Sequence, residues 1–146
     1  CSKICLKHLK KSKNPHILNM SPPISLKPKW FENFTAYTIA KFGMSMCVIG
    51  MSAEYKKYNI AVNALWPKTA IDTAAIRMLG GVVRPEQCRK VDILADASFF
   101  VLRRDSNKFT GKFYIDEEVL AEEGITDLEK YSVKTGEKLF TDLYLD

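Results

Sequence analysis

Two short apolar runs most constrain what this chain can become: His16-Ile17-Leu18-Asn19-Met20-Ser21 and Ile60-Ala61-Val62-Asn63-Ala64-Leu65-Trp66-Pro67. The first ends in a hydroxyl and the second breaks at proline. The first has no clearly polar face and the second reads as buried, the pattern of strands covered on both sides in a parallel sheet. Between them Pro22, Pro23 and Pro28 enforce an extended loop to Lys29. A helix then starts between Trp30 and Thr35 and runs to about Tyr55, with Gly43, Ser45, Gly50 and Ala53 as its small positions.

Tyr37 and Lys41 stand four residues apart on that helix, Tyr37 sixteen residues after Ser21. The spacing puts a phenol and an ammonium on one helix face. A phenol with an ordinary pKa of about 10 is a poor proton donor or acceptor at neutral pH, and an adjacent positive charge favours its ionised form. Reversible carbonyl reduction needs such a pair. A bare Tyr-x-x-x-Lys is also common on solvated helix faces, so the order of the surrounding segments has to carry the reading.

That order, from His16–Ser21 through Ala36-Tyr37-Thr38-Ile39-Ala40-Lys41 to Ile60–Pro67, continues with a segment from Pro85 holding Asp92, Ala95, Asp96 and Ala97. It closes on Phe109-Thr110-Gly111-Lys112-Phe113-Tyr114-Ile115-Asp116. The sequence resembles the later part of the short-chain dehydrogenase/reductase family over nearly its whole length. The resemblance implies an α/β fold, the C-terminal part of a doubly wound Rossmann-like parallel sheet. It implies NAD(P)-dependent interconversion of a carbonyl and an alcohol at a Ser21, Tyr37 and Lys41 site, with NADP or NAD as cofactor. In that scheme Tyr37 exchanges the proton, and Lys41 acts on Tyr37 and on the nicotinamide ribose. Ser21 holds the substrate oxygen, while Pro67, Ile71 and either Thr69 or Thr73 contact the nicotinamide end. Two departures accompany the match: Ser21 lies farther from Tyr37 than is usual, and Lys68 stands where most relatives have Gly.

The Ser21-Pro22-Pro23 and Trp66-Pro67-Lys68 runs are unusual in the wider family. They resemble a branch whose members carry a sterol-carrier-like domain after a linker. That branch implies a lipid or steroid-like substrate in lipid metabolism and a peroxisomal or mitochondrial location, with the cytoplasm as the alternative. The family's GxxxGxG turn does not occur, and Gly80-Gly81 follows a helical stretch instead of a strand. The chain is therefore expected to be a C-terminal portion beginning inside the family's fourth helix, inactive alone. Residues 1–116 would belong to the dehydrogenase domain, and 117–146 to an extension or the start of a linker. The competing class is a non-catalytic lipid-binding or dimerisation module on the same fold.

Composition narrows the partners. The chain has 146 residues, 47% of them hydrophobic and 27% charged, which fits a globular domain. Its net charge of +5 includes Lys7, His8, Lys10, Lys11 and Lys13, but these close a helix, where cations complement the macrodipole. No aromatic interleaving accompanies them, so nucleic acid is not expected. No apolar run approaches the roughly 20 residues of a membrane span. Cys1, Cys5, Cys47 and Cys88 lack metal-site spacing and read as reduced, packed thiols of an intracellular protein. No metal is expected.

The Met44, Met46 and Met51 face of the Tyr37 helix reads as packing, and the resemblance adds a homo-oligomer contact through the same helix. Further expectations are a short helix within Lys68–Val83, a helix from Pro85 to Arg103 and a strand from Lys112 to Asp116. Asn63 is expected to tie strand to loop. The charged tail beyond Glu117 is expected on the surface.

Overall fold

The computed structural model of the chain describes residues 1–78 and 80–145. They divide into two compact units, the first made of Cys1–Trp66 and Leu102–Tyr114, the second of Pro67–Val101 with the segment from Ile115 onward. The sheet has three strands in the order β1-β2-β3: β1 is His16–Met20, β2 Ala61–Trp66 and β3 Phe113–Ile115. Among the described residues, no helix is long and apolar enough to cross a membrane.

In the first unit, helix α1 (Ser2–Leu9) carries Lys7 and His8 in its last turn, and helix α2 (Thr35–Tyr55) joins β1 to β2. The two strands run parallel, with His16 opposite Ala61 and Met20 opposite Leu65. Every residue of β2 is buried, the polar Asn63 included, as suits a strand covered on both faces. β1 stands at the edge of the described sheet, and its residues are partly covered apart from the exposed Met20. The core between α2 and the sheet joins Val48, Tyr55, Ile60, Val62 and Ala64, with Leu6, Leu9, Ile17, Met51 and Phe113 packed against them. Asn59 adopts φ 57° between α2 and β2, a left-handed conformation that asparagine tolerates.

Polar side chains fix the neighbours of these strands. Asn63 donates from Nδ2 to the Phe109 carbonyl at 2.8 Å and accepts from the Lys112 N–H at 2.9 Å, so it ties strand to loop as expected. Thr110 Oγ1 accepts from the Val62 N–H at 3.0 Å. Asn14 donates to the Leu102 and Arg104 carbonyls and accepts from the Ser106 N–H, while His16 Nε2 lies 3.0 Å from the Arg104 carbonyl. Gly111 has φ 73°, and a Cβ there would lie 3.2 Å from Ser52 Oγ, so both conformation and space favour glycine.

In the second unit, helix α3 is Ala74–Met78, and Gly80 and Gly81 follow it with φ of 66° and 90°. The expected helix from Pro85 to Arg103 is interrupted. Pro85–Gln87 makes one 3₁₀ turn, and helix α4 begins only at Asp92. Between them Arg89 is drawn into extended pairing: its N–H meets the Ala70 carbonyl at 2.9 Å, and its carbonyl accepts from the Asp72 N–H at 2.9 Å. These long-range bonds offset the local helix signal of Pro85. Helix α5 (Asp116–Glu122) follows β3 directly.

The segment beyond Glu117 is not a bare surface tail, because Val119, Leu120, Tyr131 and Tyr144 are buried. Thr141 bridges Thr69, and Phe140 accepts from the Ala70 N–H at 2.8 Å. Two side-chain expectations also need correction. Cys1, Cys5 and Cys47 are exposed and only Cys88 is buried. On α2, Met51 packs into the core while Met44 and Met46 face outward.

Candidate active site

The first unit brings Tyr37, Lys41 and the Ser21 end of β1 into one neighbourhood. Two face-sharing rows organise α2. Thr38, Phe42, Ser45 and Val48 are buried, and the adjacent row presents Tyr37, Lys41 and Met44 at helical spacing. The buried row grips the loop after β1. Ser45 Oγ donates to the Pro22 carbonyl at 2.6 Å, Thr38 Oγ1 donates to the Trp30 carbonyl, and Phe31 meets Phe42 edge-on at 5.8 Å. The proline-rich loop is thereby held against the helix that carries the proposed chemistry.

Lys41 sits at the centre of the arrangement. Its ammonium donates to the Met20 carbonyl at 3.4 Å, immediately before Ser21, and lies 5.1 Å from the Trp66 ring centre and 5.8 Å from the Tyr37 ring centre. Tyr37 is accessible, with 46% of its surface exposed. Ser21 is fully buried, and among the described residues its Oγ has no hydrogen-bond partner. Buried hydroxyls are almost always paired, so an orphan at a strand end calls for a ligand or a water.

The second unit presents the other predicted positions. Pro67 follows β2 directly and is buried. Thr69 is buried and its Oγ1 is unpartnered among the described residues, whereas Thr73 is exposed and its Oγ1 accepts from the Ile76 N–H at 3.4 Å at the start of α3. Ile71 is buried. The Arg89 pairing uses the Ala70 carbonyl and the Asp72 N–H, so the N–H and C=O of Ile71 itself point away from Arg89.

Asp116 holds this segment: its Oδ1 accepts from the Lys68 and Glu117 N–H groups, each at 2.8 Å. Burial pushes its carboxyl up to about 6, although both hydrogen bonds pull the other way. Arg89 is itself buried, pairs with Glu117 Oε1 at 2.9 Å, and donates to the Leu128 carbonyl at 2.7 Å.

Sequence reasoning missed the supporting roles of Thr38, Ser45, Trp66 and Arg89. Only Trp66 left a signal, an unusual aromatic at the end of an apolar strand. The partners of the others lie on loops or distant segments.

Tyr37, Lys41 and Ser21 thus stand near the carboxyl end of β1, and a sequence profile described as short chain dehydrogenase matches residues 1–79. The chain belongs to that family of oxidoreductases. Over 145 residues it is 59% identical to "Hydroxysteroid dehydrogenase-like protein 2" of Danio rerio, covering 99% of this chain and 34% of that protein. It thus spans about a third of the length of the curated relatives it matches. Among solved structures, a short chain dehydrogenase of Mycobacterium thermoresistibile superposes with TM-score 0.89 at 43% identity, over 99% of this chain and 51% of that one. A candidate dehydrogenase of Xanthomonas campestris gives TM-score 0.95 at 49% identity, over 100% and 53%.

Proposed function

We propose that the intact protein carrying these residues is an NAD(P)-dependent oxidoreductase that interconverts a carbonyl and an alcohol. The observation that carries the reading is the convergence at Lys41, whose ammonium donates to the carbonyl before Ser21 at 3.4 Å and lies 5.8 Å from the Tyr37 ring centre. The bound nicotinamide supplies or takes up the hydride. In reduction, Tyr37 gives its phenolic proton to the oxygen that becomes the alcohol, and in oxidation it takes that proton back. Lys41 favours the phenolate between those events. An ammonium has three N–H donors, so Lys41 can hold the Met20 carbonyl and still offer donors to a ribose hydroxyl.

Ser21 Oγ, buried without a partner, suits a ligand for the substrate oxygen. Its burial means that a covering group must yield before the oxygen arrives. In the second unit, the orphan Thr69 hydroxyl and the Ile71 backbone, which faces away from Arg89, suit the polar carboxamide of a nicotinamide next to Pro67. Thr73 keeps its O–H for donation while accepting at α3. Leu26 and Phe34, exposed between Ser21 and Tyr37, offer apolar surface, which suits the lipid or steroid-like substrate suggested by the relatives' name.

The exposed face of α2 also supports homo-oligomerisation. Ala36, Ile39, Ala40, Met46 and Gly50 are exposed there with the half-buried Gly43 among them, and a Cβ added at either glycine would meet nothing within 4 Å.

Replacing Tyr37 by Phe in the intact protein tests the chemistry. Carbonyl reduction at saturating cofactor is expected to fall about 10²- to 10⁴-fold, the scale of a positioned acid–base group, with cofactor affinity nearly unchanged. Turnover close to that of the unsubstituted protein would move the support to a non-catalytic dimerisation module.

A further inference from the structure

The amino-terminal end of β2 carries a second polar site, one strand length from Lys41. A cavity of about 150 Å³ is lined by Lys56, Asn59, Ile60, Ser106, Asn107 and Thr110. Five of these six side chains are polar. Ser106 is 2% exposed, and among the described residues its Oγ has no hydrogen-bond partner. The Ser106 N–H is spent on Asn14 Oδ1, so the residue is fixed while its hydroxyl is left over. Thr110 Oγ1 accepts from the Val62 N–H, which leaves its O–H free to donate into the cavity. Asn107 uses Nδ2 on Asp105, and Asn59 is held in its left-handed turn.

Charge decides between the ligands such a cavity could take. Lys56 has no carboxylate partner among the described ion pairs, whereas the nearby Asp105 is matched by Lys108 at 3.5 Å. Lys57 and Lys10 stand close by, and both hold the neighbouring Tyr58 phenol below its ordinary value, Lys10 most strongly. The surroundings are therefore cationic, and the lining offers an ammonium and two hydroxyl donors. A water could satisfy Ser106 alone, whereas an oxyanion would satisfy Ser106 and also pair with the exposed Lys56 ammonium.

We infer that Lys56, Asn59, Ser106 and Thr110 form a binding site for a small tetrahedral oxyanion of the phosphate class, separate from the Tyr37 and Lys41 neighbourhood. A cavity of this size admits one phosphate group, with Lys56 and Thr110 as donors in its lining and the buried Ser106 hydroxyl a further donor once a covering group yields. The inference does not rest on the proposed dehydrogenase chemistry.

Thermal unfolding of the intact protein, saturated with nicotinamide cofactor to fill any other phosphate site, provides the test. Inorganic phosphate is titrated against chloride at constant ionic strength. The melting temperature is expected to rise with phosphate, and the half-saturating concentration to increase at least about tenfold in Lys56→Met, the loss expected for one charge-assisted hydrogen bond. Ser106→Ala should weaken the response similarly while the phosphate-free protein melts no lower than the parent, because the substitution removes an unpaired buried hydroxyl. A Lys56→Arg variant should retain the response. Equal phosphate responses in the parent, Lys56→Met and Ser106→Ala, or no response beyond that of chloride, would overturn the inference.

Discussion

Lys41 illustrates how much one side chain can be asked to do. Its ammonium is tethered to the Met20 carbonyl and stands over Tyr37 and Trp66, so removing the charge affects the phenol and leaves the strand end without its donor. Lys41→Met in the intact protein is expected to lower turnover by at least about 10²-fold and to weaken cofactor binding as well. Loss of turnover with an unchanged cofactor titration would rule out the shared role. Asp116 makes a different kind of prediction, about stability. Its folded carboxyl is raised from the ordinary 3.8 to about 6, chiefly by burial, so between those values the folded chain binds the proton more tightly than the unfolded chain does. The stability this group contributes is present below about pH 4 and lost as the pH rises through about 6. Asp116→Asn keeps an acceptor for Lys68 and Glu117 but cannot titrate. It should flatten this part of the pH dependence and stabilise the protein at pH 7 by roughly 1–3 kcal/mol. Urea unfolding midpoints of parent and variant at pH 4.5 and pH 7 give the difference; a gap that does not widen toward pH 7 would refute the assignment.

Helix α2 shows which elements a sequence discloses. Its limits, and those of β1 and β2, were legible because prolines and apolar runs punctuate them locally. The pairing of Tyr37 with Lys41 was legible for the same reason, since helical spacing alone puts them together. What could not be read was decided by distant partners: Arg89 is extended because Ala70 and Asp72 bond to it, and residues 117–145 turn inward because their apolar side chains find cover. The burial of Ser21 was hidden too, since nothing local says which loop covers a strand end. The outward face of α2 leads to a prediction at this scale. Gly43 and Gly50 occupy open space, so Gly43→Ala should stabilise a lone chain by about 0.5–1 kcal/mol through helix propensity. A second copy packed on this face would need the close approach that glycine permits. Gly43→Leu should then shift the intact protein toward monomer in sedimentation equilibrium without lowering the helix content. An unchanged assembly state would place any oligomer contact elsewhere.

At the scale of the whole molecule, the sheet is finished on one side of β2 and open beyond β1. β2 is hydrogen-bonded to β1 and to the segment leading into β3, whereas β1 has no second neighbour among the described strands. Its outer backbone N–H and C=O groups form a template for another strand, and its side chains are only partly covered. The solved relatives are about twice as long as this chain, and the sequence contains no GxxxGxG turn to seat a pyrophosphate at a helix N-terminus. Residues 1–146 expressed alone are therefore expected to self-associate through the β1 edge and the apolar face of α2. They should bind a nicotinamide cofactor far more weakly than the intact protein, because the nicotinamide end alone would anchor it. Light scattering checks the first part, and calorimetric titration with NADH and NADPH the second. A Lys substitution at Leu18, on the face of the edge strand turned away from the core that holds Ile17, distinguishes the causes: if the open edge drives association, the charge should reduce it, as charged edge strands do in natural sheets. A monodisperse preparation of residues 1–146 that bound either cofactor at micromolar concentration and turned over a carbonyl would show that these residues suffice for the chemistry.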